Sequence, residues 1–157
     1  MTPKKRISGS SDPTTRFEIA GQSIGEARRR NRDLNWPVIV EGKRDKIALV
    51  NLGFTGPIEL LNRGWTIERV VTYVFENYGT RNQIDGGSCV SILMDWDRTG
   101  GRLQRKLVNL MEGLDMFICQ DTRNVLMKAL KPETRVLEGL NGLSEYLLPS
   151  IEKEDLR

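Results

Sequence analysis

Histidine is absent from the chain. Acid–base chemistry near neutral pH therefore has no imidazole, and any catalysis falls to carboxylates, lysine, tyrosine, cysteine or a bound metal. Cysteine is scarce as well. Cys89 and Cys119 both lie in apolar runs, lack the spacing of a zinc site, and read as small buried hydrophobes. A disulfide between them is disfavoured in a reducing compartment. No apolar run is long enough to cross a bilayer, and the opening stretch MTPKKRISGSSDPTT lacks the apolar core of a signal peptide. A cytoplasmic location and no membrane partner are expected. Charge of one sign does not dominate either. The 24 Lys and Arg against 21 Asp and Glu leave a net +3, which permits a nucleic-acid partner without demanding one. No internal repeat is visible.

What is present suits one soluble domain. The chain has 157 residues, 38% apolar and 29% charged, enough for one core and too few for two. Residues 1–15 are polar, rich in Ser, Thr and Pro, and carry Lys4, Lys5 and Arg6. They read as a flexible basic arm that extends to residue 22. Ser23 and Glu26 have capping-box spacing, which predicts a short basic helix within 23–36, stopped at Trp36-Pro37.

From residue 37 buried strands and amphipathic helices alternate. PVIVEG, PIELLN and CVSILM read as strands, and MFIC as a fourth. KRDKIALVNLG, TIERVVTYVFENYG, GRLQRKLVNLMEGL, TRNVLMKAL and LSEYLL read as helices, with TRVLEG strand-like or extended. Leu103, Leu107, Leu110, Met111 and Leu114 would face inward. The alternation predicts an α/β fold: a Rossmann-like, mostly parallel sheet of about four strands flanked by helices. Residues 37–114 would form its core, and 115–157 would complete the same domain with a short helical extension.

The chemistry gathers in the turns that leave the strands. In a parallel sheet, ligands bind at the C-terminal strand ends. Glu41 ends the first strand. SILMDWDRTGG ends the third with Asp95 and Asp97, which can face one way with Trp96 opposite, since strand side chains alternate. If these strands are neighbours, three carboxylates converge, an oxygen-only set suited to Mg²⁺ or Mn²⁺. The flanking residues suit a phosphate. Gly42 admits close backbone approach, Lys43, Arg44 and Arg98 offset negative charge, and Gly100 and Gly101 open a helix whose free N–H groups attract anions. Asn62, in the second edge loop, is a further candidate for substrate contact.

Together VIVEGKRDKIAL and SILMDWDRTGG resemble the Toprim domain of topoisomerases, bacterial-type primases, certain nucleases and the ribonuclease that matures 5S ribosomal RNA. Its E-G-x-x-D motif is met by Glu41, Gly42 and Asp45, and its D-x-D-x-x-G motif by Asp95, Asp97 and Gly100. The short chain is most similar to the small stand-alone Toprim proteins of archaeal type. The resemblance implies that Glu41 is the general acid/base and also a metal ligand. It implies that Asp95 and Asp97 bind Mg²⁺, and that the reaction makes or breaks a phosphodiester.

Each motif has a plainer reading. EGKRD alone is equally a solvated strand-to-helix turn, and a lone D-x-D is often a turn or helix cap. Arg28, Arg29, Arg30 and Arg32 form either a phosphate-contacting run or a solvated helix face. The function expected is a small Mg²⁺-dependent nuclease acting on RNA or DNA. The alternative is a non-catalytic or partner-dependent module that binds nucleic acid or a ribonucleoprotein. A small-molecule phosphotransferase is a third reading. It is weakened because its nucleophilic aspartate usually follows the first strand.

Overall fold

Short runs of β-branched and apolar side chains make the sheet. In the computed structural model, which describes residues 12–157, the strands are β1 (Val38–Val40), β2 (Ile58–Leu60), β3 (Val90–Ile92) and β4 (Ile118–Cys119). All are parallel, in the order β2-β1-β3-β4. Val38 pairs with Ile58 on one side and Ser91 on the other. The period of two sends Val38 and Val40 into one core and Ile39 into another. Helices α3 (Ile67–Tyr78) and α4 (Arg98–Glu112) cover the Ile39 face through Val70, Val74, Leu107 and Met111. The Val38 face is covered by α1 (Pro13–Asp33), α2 (Lys43–Asn51), α5 (Asp121–Leu130) and α6 (Ser144–Asp155). The expected α/β architecture with a parallel sheet between helical layers is the one observed. No helix among the described residues is long and apolar enough to cross a membrane.

The N-terminal boundary differs from expectation. Helix α1 starts at Pro13, where Asp12 accepts a hydrogen bond from the Thr15 N–H at 3.0 Å. Residues 13–22 therefore belong to the helix, and Ser23 and Glu26 lie inside it. Lys4, Lys5 and Arg6 fall outside the described residues. The basic run is also not a free face. Arg28 Nε donates to Asp155 at 2.6 Å, and its Nη1 reaches Glu152 and the Leu52 carbonyl, both at 3.0 Å. Arg32 forks onto both Asp155 oxygens, each at 2.8 Å. Arg29 donates to the Glu154 carbonyl, and Arg30 lies over the Trp36 ring. Arg32 above all, with Arg28 adding, holds the Asp155 carboxyl below its ordinary range despite its burial. The run thus clamps α1 to α6. Arg28→Met is expected to lower unfolding free energy by about 3 kcal/mol, since it strands a buried carboxylate with one cation fewer. Urea unfolding followed by circular dichroism measures this, and an unmoved midpoint would count against the clamp.

Two expectations on the C-terminal side also shift. TRVLEG forms no strand. It leads into a 3-10 turn, Leu137–Leu143, because Leu137 and Leu140, three apart, are both buried, which fits a helical turn and not a period of two. Leu114 is exposed because it lies past Gly113, the C-cap of α4, and so leaves the helix face.

Candidate functional site

The strand order places the site. From β1 the chain moves to β2 on one side, then returns to β3 on the other, so the connections diverge between β1 and β3. A crevice opens at such a switch point, at the C-terminal strand ends. Glu41 follows β1 directly, and Asp95, Trp96 and Asp97 follow β3 after Leu93 and Met94. The Asn62 N–H donates to the Glu41 carbonyl at 2.8 Å, which ties the second edge loop to the first. The Gly42 N–H donates to Asp45 at 3.0 Å, so Asp45 closes the start of α2. A cleft of about 290 Å³ is lined by Glu41, Gly42, Asp45, Asn62 and Asp95, with Glu138 from the 3-10 turn and the exposed cations Lys43 and Arg44.

Electrostatics in this cleft are unfavourable to its own charges. Burial, then repulsion from Asp45 and Asp97, raises the Glu41 carboxyl. Burial also raises Asp45, with Glu138 adding. Asp95 is pushed up to about 6, chiefly by burial, with further repulsion from Asp45, Asp97 and Glu41 and an opposing bond from the Leu137 N–H. The Glu41 side chain takes no hydrogen bond or ion pair among the described residues.

The D-W-D segment is held by the last third of the chain. The Leu137 N–H donates to Asp95 Oδ1 at 2.7 Å. Arg123 donates to the Asp95 carbonyl at 2.9 Å and the Met94 carbonyl at 3.1 Å. The Trp96 backbone N–H meets the Arg135 carbonyl at 2.9 Å, and its indole N–H meets the Thr134 carbonyl at 2.6 Å. Trp96 is buried in the Val38-side core, away from the acids beside it. Arg123, Leu137 and Glu138 carry no local motif, and only a fold that returns the chain to this edge reveals them.

Asp97 is set differently from the other two acids. It caps α4, accepting from the Gly100 N–H at 2.7 Å, and borders a neighbouring cleft together with Arg98 and Gly101. The three expected ligands are thus within electrostatic reach, yet among the described residues no three His, Cys, Asp or Glu are grouped closely enough to hold a metal ion. Like charges repel, and Asp95 and Asp97 rest on backbone N–H donors. The donor chemistry does fit a hard divalent cation: half-buried carboxylates only, Glu41 with both oxygens unbonded. Gly100 has a steric role. A Cβ there would stand 2.0 Å from the Asp95 carbonyl oxygen, so only glycine lets α4 start this close to the acid. Gly42 meets nothing within 4 Å, which leaves its surroundings open on the cleft side.

A carboxyl raised on folding contributes stability below its ordinary value of 3.8 and loses it as pH climbs through about 6. Asp95→Asn keeps an oxygen for the Leu137 N–H and removes the charge. In metal-free buffer at pH 8 it is expected to raise the melting temperature by about 2–4 °C, the shift that a change on the order of 1 kcal/mol gives in a chain of this size. The gain should vanish well below pH 3.8, where Asp95 is protonated in both states. Thermal melts across that pH range measure it, and a gain independent of pH would reject the account.

Compared with models of known families, the chain matches none. Individual relatives are clear. A UPF0292 protein of Thermococcus onnurineus is 35% identical over 112 residues, covering 71% of this chain and 76% of that protein. One of Pyrococcus abyssi is 32% identical over 120 residues, covering 76% and 81%. Among solved structures, a putative protein from Aquifex aeolicus superposes with a TM-score of 0.58 at 24% identity, over 74% of this chain and 94% of that one. That likeness concerns the fold alone.

Proposed function

The chain belongs to the UPF0292 family, and from the chemistry of its sheet edge we propose that it is a small nuclease of the Toprim type, dependent on Mg²⁺ or Mn²⁺ and acting on RNA or DNA. The observation that carries the reading is Glu41. It is a half-buried carboxylate without a donor or counter-ion, beside Asp95 at the switch point of a parallel sheet, with Asp97 close enough to raise it. Glu41, Asp95 and Asp97 would hold the metal, which when bound neutralises phosphate charge and makes water more acidic. Glu41, raised above its ordinary value by burial and by repulsion from Asp45 and Asp97, suits proton transfer at the reacting oxygen. Lys43 and Arg44, exposed on the same cleft, would orient the phosphate, and the Leu137 N–H keeps Asp95 aimed. The buried, unpaired thiols of Cys89 and Cys119 support a reducing, cytoplasmic location.

A second reading is favoured by one observation. Because no three-ligand group stands ready among the described residues, the chain would then bind nucleic acid or a ribonucleoprotein without cutting. The deciding experiment incubates the purified protein with end-labelled RNA and DNA panels, with Mg²⁺, with Mn²⁺ and with chelator. Cleavage that needs the metal supports the nuclease. Metal binding without cleavage of any strand shifts the reading to the binding module.

A further inference from the structure

Arg16, Arg28, Arg32 and Arg63 each meet a carboxylate within ion-pair distance. Of the arginines that form no ion pair among the described residues, four line one cleft of about 470 Å³ that Trp96 and Asp97 border: Arg98, Arg105, Arg123 and Arg135. Arg123 is only 8% exposed. Its bonds go to neutral carbonyls, those of Met94 and Asp95. The point where a side chain on Gly101 would begin lies 3.6 Å from Arg105 Nη1 and 3.7 Å from Arg123 Nη2, so two guanidinium groups converge on a space left open by glycine. A buried cation that bonds only neutral carbonyls and faces a like charge, with Asp95 and Asp97 acting on it only at longer range, is relieved when a ligand brings a further anion into the cleft.

We propose that this arginine cleft is a phosphate subsite. It seats a second phosphate of the strand whose reacting phosphate lies across the Asp95–Trp96–Asp97 ridge at Glu41. The inference rests on the nucleic-acid reading above and makes it more specific. The substrate is a strand with a phosphate on the Asp97 side of the bond that reacts, either an internal diester or a terminal monoester. Planar guanidinium forks suit such oxygens. Arg123 has a double part, since it also fixes the Asp95 backbone. A phosphate drawn to the cleft would thereby be placed relative to the carboxylates.

The test uses fluorescence anisotropy in a Glu41→Gln background, which keeps strands intact. Short 3′-fluorescein RNA and DNA strands carry either a 5′-phosphate or a 5′-hydroxyl. Arg105→Ala with Arg135→Ala alters exposed side chains, and circular dichroism verifies the fold. Lys153→Ala with Arg157→Ala removes equal charge at the end of α6. The arginine pair is expected to weaken binding about ten-fold or more and to flatten the log–log salt slope by roughly 0.7 per lost contact, while the control pair changes little. A loss confined to 5′-phosphate strands marks a terminal monoester, and an equal loss on both marks an internal diester. Equal losses in both double variants, or none, overturn the subsite. Cleavage by wild-type protein with unaltered binding in the arginine variant removes the subsite and leaves the nuclease. Arginine-dependent binding without wild-type cleavage does the reverse. If no strand binds, both fall.

Discussion

Glu41→Gln is expected to reduce metal-dependent strand cleavage by about 10²–10⁴-fold, the usual loss when a positioned proton carrier is removed. The substitution is close to isosteric, and no donor in the protein is left behind, because the Glu41 side chain takes no hydrogen bond or ion pair among the described residues. It also removes one of the charges that repel Asp95. Folding stability should therefore hold or rise while activity collapses, a combination that a merely disruptive change does not give. A pH–rate profile adds a second readout. The wild-type profile should carry a limb from a carboxyl raised above its ordinary value, and the residual activity of the variant should lack it. Cleavage at wild-type rate in the variant would hand proton transfer to another group.

Gly100→Ala is expected to cost about 4 kcal/mol or more of unfolding free energy, beyond the usual range for overpacking. The reason is the identity of the atoms met. An added Cβ would stand 2.0 Å from the carbonyl oxygen of Asp95, 2.5 Å from its carbonyl carbon and 2.8 Å from its Cβ. None of these is the far end of a flexible side chain. Either α4 withdraws and gives up the Asp97 cap, or the strand end carrying Asp95 moves. Gly101→Ala makes the contrast, since its nearest neighbours would be 3.6 and 3.7 Å away and alanine is the better helix former. Guanidinium unfolding of the two variants measures the difference. Equal stabilities would mean that the helix start has slack the geometry does not show.

The fold could be read from residues 37–119 because the signals there are local and agree. Val38-Ile39-Val40 is β-branched throughout, Thr66 and Gly79 bracket an amphipathic helix, and both acids follow apolar runs. The candidate site was legible for the same reason: each motif sits within a few residues of a strand end. Where a partner came from far along the chain, nothing local announced it. Arg28 looked like part of a solvated basic face because its partners, Glu152 and Asp155, lie at the other end of the sequence. Arg123 looked like an ordinary helix residue, although its guanidinium holds the carbonyl of Asp95. Ser23 and Glu26 had the right spacing for a helix start, yet Asp12 and Pro13 supplied one a few turns earlier. For Asp97 the plainer reading of an aspartate before a helix, a cap, is the one its hydrogen bond to the Gly100 N–H displays.

The clamp on Asp95 and Trp96 has a consequence for the order of events in biosynthesis. Both acidic motifs leave the ribosome before Arg123, Thr134 and Leu137, the residues that grip the D-W-D segment. Helix α1, the first described element to be made, rests against α6, the last. A growing chain that has not reached Arg123 carries Glu41, Asp95 and Asp97 and none of the three distant residues that grip the D-W-D segment. The segment that carries Asp95 and Asp97 is thereby set in place only once Leu137 has been made.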